Sequence, residues 1–328
     1  MSSFDNRRPS VGRLGRRGSL ARDDATSGVG FGEAAREFLR YIEHDRKRRR
    51  STLRDYRHVV CSHLIPAFGE CTPIDEITPR LIEDYRERLV REGALAPRTV
   101  NKVLVVLHGV FRRAVRRYGL ASNPASEVDR QPVRASGDFR VLAPREIQRL
   151  IEAAASPQDE AIFAVAAFAG LRVGELRALR WEDLDFELSL IHVRRSYSLG
   201  KVDAPKSGRV RSVPLIREAA ERLLILKDRS DPPGGDDLVF VGPGGRVIDD
   251  SCLRRRFYEA LSRAGLSHMR FHDLRHSFGT IAVQAFPLSD VAAFMGHQDI
   301  STTMIYVHHV PKVEAALKLA RVMSQSAV

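Results

Sequence analysis

The sequence predicts a mainly α-helical protein with a small antiparallel β-sheet, divided into a helical domain and a mixed α/β domain. Three observations carry this reading. The 328 residues are enough to build two separate cores. Apolar residues recur at helical spacing from Phe31 to Leu120 and in several stretches beyond Val141. Only two runs, Ser189 to Arg194 and Arg209 to Leu215, read as strands, and they flank a turn region containing Gly and Pro.

Taken in order, residues 1–28 are rich in Arg, Gly, Ser and Asp and lack apolar periodicity. They read as a disordered basic arm, either touching a DNA backbone or simply solvated. Residues 29–121 form the helical domain. Phe31, Ala35, Phe38 and Ile42 share one helix face, as do Leu53, Tyr56, Val60 and Leu64. Thr78-Pro79 supplies a cap and a first-turn proline for a helix carrying Leu81, Ile82, Tyr85 and Leu89. The longest helix runs from Arg98 to Tyr118 and stops at Gly119. Residues 122–140 hold Asn123-Pro124, Pro132 and Gly137 and read as a linker. The second domain spans 141–328. Its helices are expected over Pro144–Ala155, Asp159–Ala169, Arg217–Lys227, Ser251–Ala264, His272–Ala285, Ser289–Met295 and Lys312–Met323.

Charge and composition narrow the function. The net charge is +12 and the pI about 10.1, which point to a polyanionic partner, nucleic acid before a membrane surface. Seven of the 53 basic residues are Lys, leaving 46 Arg. This bias makes any Lys informative. Cys61, Cys71 and Cys252 have no spacing that suggests a disulfide framework or a zinc site, and they suit the reducing cytoplasm. The longest apolar run, Ala161 to Leu171, is too short for a membrane span.

Five segments of the second domain carry chemistry. They are Gly170-Leu171-Arg172-Val173-Gly174-Glu175-Leu176; Pro205-Lys206-Ser207-Gly208 ahead of Arg211-Ser212-Val213-Pro214-Leu215; His272-Asp273-Leu274-Arg275-His276; Met295-Gly296-His297; and Ser301 to Tyr306. The order Arg, Lys, His-x-x-Arg, Gly-His, Tyr resembles the tyrosine recombinase, or phage integrase, family over roughly residues 30–320. The resemblance implies a core-binding helical domain, a catalytic domain, double-stranded DNA as partner, and strand transfer through a covalent tyrosine. It also implies that His272 accepts the Tyr306 proton and that His297 donates to a phosphate oxygen.

The residue chemistry leads the same way. Attack on a phosphodiester needs a nucleophile, a charge clamp and an acid for the leaving group. Tyr306 can be the nucleophile, and nearby positive charge is expected to lower its pKa. Arg172 and Arg275 can each bond two phosphate oxygens. Glu175, one turn beyond Arg172, is expected to orient it. His276 is expected to be structural or to support the site from behind. Two His four residues apart suggest a metal, but Arg275 between them would repel a cation. A general acid must release its proton, which Lys can do and Arg cannot. Lys206 therefore reads as the acid, with Lys201 in the same turn region as the rival, and the family pattern favours Lys206.

One ester replaces another in such chemistry, so neither a metal nor a nucleotide cofactor is expected. The alternatives are relaxation of DNA in the manner of a type IB topoisomerase, a catalytically silent DNA-binding regulator, and a metal-dependent nuclease. Val313, Ala316, Leu317, Ala320 and Met323 form a narrow apolar stripe after Tyr306. It packs either on its own domain or on a neighbouring copy. The second option leads to a protein that is monomeric when free and a tetramer on DNA.

Overall fold

The computed structural model describes residues 28–133, 139–205, 208–228 and 233–309. The basic arm up to residue 27, Lys206, and the helix expected over Lys312–Met323 lie outside the described residues. The chain divides into two compact units, Met1–Arg134 and Ala135–Val328. It is mostly helical, with small antiparallel sheets. No helix among the described residues is long and apolar enough to cross a membrane.

The first unit contains α1 (Phe31–His44), α2 (Arg50–Val59), α3 (Ile65–Phe68), α4 (Pro79–Glu92) and α5 (Pro97–Tyr118). Its core gathers Phe31, Phe38 and Ile42 of α1, Ile82 and Leu89 of α4, and Val103, Leu107, Val110 and Phe111 of α5. Thr78 caps α4 by accepting from the Leu81 backbone N–H at 3.3 Å, with Pro79 in the first turn. Between α2 and α3 the backbone makes one π-helical turn, Val60–Leu64. Val59 and Val60, where that turn begins, are both buried in the core.

Residues expected to begin the linker are instead tied to α5. The Asn123 amide donates to the His108 carbonyl at 3.2 Å. Asn101 donates to the Gln131 carbonyl at 2.8 Å and accepts from the Gln131 N–H at 2.7 Å. An Asn side chain offers both a donor and an acceptor, so it pairs a peptide as a strand would.

The second unit opens with α6 (Pro144–Glu152), α7 (Pro157–Phe168) and α8 (Val173–Leu176). Strands β1 (Leu184–Asp185), β2 (Leu190–Val193), β3 (Ser196–Ser198), β4 (Lys201–Asp203) and β5 (Arg211–Pro214) follow. The remaining helices are α9 (Arg217–Lys227), α10 (Asp250–Arg263), α11 (Asp273–Ala282), α12 (Leu288–Met295) and α13 (Ser301–His309). A three-stranded sheet has the order β1-β2-β5, with Ile191 opposite both Leu184 and Val213. The expected turn region contains a second antiparallel pair, β3 with β4, closed at Leu199-Gly200, both with positive φ. Residues 201–203 of β4 are all exposed, so no alternation of apolar residues marks them in the sequence. Residues Ala161 to Ala167 of α7 are buried on every side, because α7 packs against α6, α9 and α11. Helix α13 rests on α11 and α12, and this contact builds the site.

Candidate active site

Three loops and helix ends converge around two arginines. Arg275 on α11 is 3% exposed. Its guanidinium donates to the carbonyls of Gly170 and Met295, and one nitrogen also lies 3.2 Å from His297 Nε2. Arg172, at the start of α8, donates to the Gly296 carbonyl at 3.2 Å. The chain turn after α12 therefore accepts from both arginines. Gly296 makes that turn possible with φ +60°, a left-handed conformation favourable to glycine.

Glu175 neutralises part of this charge. It accepts from the Arg172 side chain at 2.9 Å and from the Arg172 backbone N–H at 2.9 Å. Arg211 of β5 donates to both of its oxygens, at 2.9 and 2.6 Å, and to the Phe294 carbonyl at 2.6 Å. Burial pushes the Glu175 carboxyl up, but hydrogen bonds and charge from Arg211 and Arg172 outweigh it and hold the group at about 2. Two guanidiniums, those of Arg172 and Arg211, thus share one carboxylate. Burial, followed by repulsion from Arg172, brings the Arg275 guanidinium down to about 9, still protonated at neutral pH.

Tyr306 is the largest fully buried side chain, at 1% exposed. Its ring lies on α11 at Gly279, where a Cβ would stand 2.8 Å from the ring carbons. The sequence reading gave the tyrosine proton to His272. In the structure the hydroxyl is 3.0 Å from His276 Nδ1 instead. His272 is exposed, its ring 5.3 Å from that of His276. His276 thus contacts the hydroxyl directly, and was not to be found merely behind the site. The expected lowering of the tyrosine pKa is also corrected. Burial pushes the phenol up to about 12 and outweighs the charges of Arg275 and Arg172.

His297 is half-buried, and its Nδ1 lies 2.8 Å from Thr303 Oγ1 on α13. Burial first, then Arg275 and Arg172, lower its imidazole to about 4, so the ring is neutral at neutral pH. A neutral ring that accepts from Arg275 on Nε2 carries its proton on Nδ1, toward Thr303. His272 is also held below the usual imidazole range, by partial loss of hydration and then by Arg275 and His276. Lys201, the rival lysine, is exposed at the start of β4.

Sequence reasoning missed Arg211, Thr303, Gly279 and Phe139. One signal was available: Arg211 alternates with the buried Val213 on the inward face of β5, where a charge requires a partner. Among the described residues, no group of three His, Cys, Asp or Glu side chains is placed to hold a metal ion.

Residues 140–312 match the phage integrase family, and residues 35–118 match the phage integrase N-terminal SAM-like domain. The chain belongs to the phage integrase family. It is a tyrosine recombinase, an enzyme of site-specific DNA recombination. Tyrosine recombinase XerC of Xanthomonas campestris pv. campestris is 28% identical over 303 residues, covering 88% of this chain and 90% of that protein. A XerC-like tyrosine recombinase of Caldanaerobacter subterraneus subsp. tengcongensis is 28% identical over 263 residues, covering 70% and 67%. The integrase fold is shared with the Tn1549 transposon integrase in complex with transposon right end DNA. That comparison has a TM-score of 0.73 at 20% identity and covers 90% of this chain and 100% of that one. A lambda integrase dimer bound to a COC' core site gives 0.69 at 17% identity, covering 87% and 79%.

Proposed function

We propose that this recombinase cuts and rejoins double-stranded DNA through a 3′-phosphotyrosyl bond to Tyr306, as a tetramer assembled on DNA in the cytoplasm. The observation that carries the reading is the group of three guanidiniums, two of them sharing the Glu175 carboxylate, beside a buried tyrosine. Its surplus positive charge matches a phosphodiester, and grows in value as charge builds on the phosphate oxygens during attack. Arg172 and Arg275 clamp the phosphate. Neutral His272 supplies an N–H donor to one of its oxygens, and His297, once its contact with Arg275 gives way to the phosphate and its proton moves to Nε2, donates to another. Glu175 holds Arg172 in place. Lys206 protonates the departing 5′ oxygen, since in an Arg-rich chain the lysine marks a group that gives up its proton. A 5′ hydroxyl from the partner duplex then attacks the phosphotyrosine, and one ester replaces another. The positive charge comes from side chains, so neither a metal nor ATP takes part.

A nicked duplex carrying a site first mapped by sequencing protein-bound genomic fragments tests the reading. The full chain should form a covalent adduct with it in excess EDTA. Tyr306→Phe should abolish the adduct and leave the DNA affinity within about twofold, because only the hydroxyl is lost. An adduct formed by Tyr306→Phe, or formation that requires added magnesium, would sink it. Transfer of the cut strand to a second duplex separates recombination from relaxation.

A further inference from the structure

We propose that His276 is a catalytic residue that takes the proton from Tyr306 when the tyrosine attacks DNA. This rests on Tyr306 being the nucleophile. His276 Nδ1 lies 3.0 Å from the Tyr306 hydroxyl, within reach of direct proton transfer. It is the hydroxyl's hydrogen-bond partner among the described residues. The pair is built in. Helix α11 presents His276 and, one turn later, Gly279, so one helix face both meets the hydroxyl and seats the ring. From the other direction Phe139 stacks on the His276 ring, at 4.2 Å between centroids and 19° between planes. Its ring also meets Tyr306 edge-on at 5.9 Å. That placement fixes the imidazole plane, and an aromatic face stabilises the imidazolium that forms.

The titratable groups facing His276 are Tyr306 on α13, His297 ahead of it, and His272 at the N-cap of its own helix. A phenol out of water beside Arg275 and Arg172 gains most from losing its proton as the bond to phosphorus forms. In the step, the Tyr306 oxygen bonds to phosphorus as its proton passes to His276 Nδ1. The bond from phosphorus to the 5′ oxygen breaks, and that oxygen takes a proton from the acid assigned to Lys206. In the return step the 5′ hydroxyl gives its proton back to that lysine. His276 then returns its own proton to the Tyr306 oxygen as the phosphotyrosine bond breaks.

The test uses the full chain and the mapped nicked duplex, with adduct formation followed over time. His276→Ala removes the acceptor. His276→Asn keeps a polar contact to the hydroxyl but cannot take a proton, and guards against a variant that misfolds. Both should bind the duplex normally and form adduct about 10²-fold or more slowly. Replacing Tyr306 with a fluorinated tyrosine, whose phenol ionises more readily, should recover most of that loss in His276→Asn and little of any loss in His272→Asn. Normal cleavage by His276→Asn would overturn the proposal, as would fluorotyrosine rescue confined to His272→Asn. An adduct in Tyr306→Phe marks failure of the nucleophile assignment instead.

Discussion

Arg211 shows how a single side chain sets up a site it need not touch. Its side chain is 8% exposed, and Glu175 is fully covered. It is the link between the sheet, Glu175, Arg172 and the carbonyl of Phe294. Removing one member of a buried ion pair leaves the other charge without full compensation, typically about 3 kcal/mol. Arg211→Met should therefore lower the unfolding free energy by about that much, read from urea melts. The pH dependence has a definite sign. Glu175 ionises at about 2 in the folded protein against 4.5 in the unfolded chain. Its contribution is fully present above 4.5 and is lost as pH falls toward 2. In Arg211→Met the folded pKa rises, so the window narrows and Glu175 contributes less at neutral pH. Equal acid sensitivity in the two proteins would show that Arg211 does not control the carboxylate. The convergence of Arg172, Glu175, Arg275, His297 and Tyr306 was legible in the sequence because their types suit phosphate chemistry and their order resembles the family's catalytic set. His276 was not distinguishable from His272. Four residues apart, they share a helix face, and which of them meets the tyrosine depends on how α13 docks.

Among the elements, α13 matters most to the chemistry. It brings Thr303 and Tyr306, three residues apart, to the same buried face. Two hydrogen bonds dock it, Thr303 with His297 and Tyr306 with His276, so the positions of Tyr306, His276 and His297 are tied together. Gly279 is the seat of the ring. A methyl group there would come within 2.9 Å of three ring carbons, closer than side chains pack. Gly279→Ala should destabilise the catalytic unit by about 1–3 kcal/mol and displace the ring. A misplacement of about 1 Å can cost about 10²-fold in rate, so the adduct should form far more slowly while DNA binding persists. A normal rate of adduct formation would show that the tyrosine works from another position. Most helices were legible from apolar spacing, and those of the first unit appear where that spacing put them. The β3–β4 hairpin was hidden because its exposed strands carry no pattern. The fold-back of residues 123–131 was hidden because it depends on Asn101, thirty residues from its partner Gln131.

Across the whole molecule, each unit has apolar clusters of its own, with no residue in common between the units. The second unit holds Tyr306 and the arginines around it, in a chain whose net charge of +12 suits a polyanion. Strand exchange between two duplexes needs four cuts, and in the proposed tetramer four copies of Tyr306 would supply them. Cutting all four strands at once would release the ends, so activity has to depend on assembly. Helix α13 is described as far as His309, three residues past Tyr306. The chain continues through Pro311 into Val313, Ala316, Leu317, Ala320 and Met323, an apolar stripe of small and medium residues. Such a stripe suits docking on a neighbour better than filling a core of its own. If each copy passes it to the next, the contact is head-to-tail and closes into a ring, which makes a cyclic tetramer. Tension on that segment would act directly on α13, and through Thr303 and Tyr306 on both docked hydrogen bonds. Truncation after Pro311 should therefore leave a folded protein that binds a single site with near-normal affinity. It should lose the four-copy complex with DNA and most strand exchange. Sedimentation of the truncated chain with site DNA makes the measurement. A tetramer of unchanged stability would place the stripe on its own domain and return the control of cleavage to the DNA.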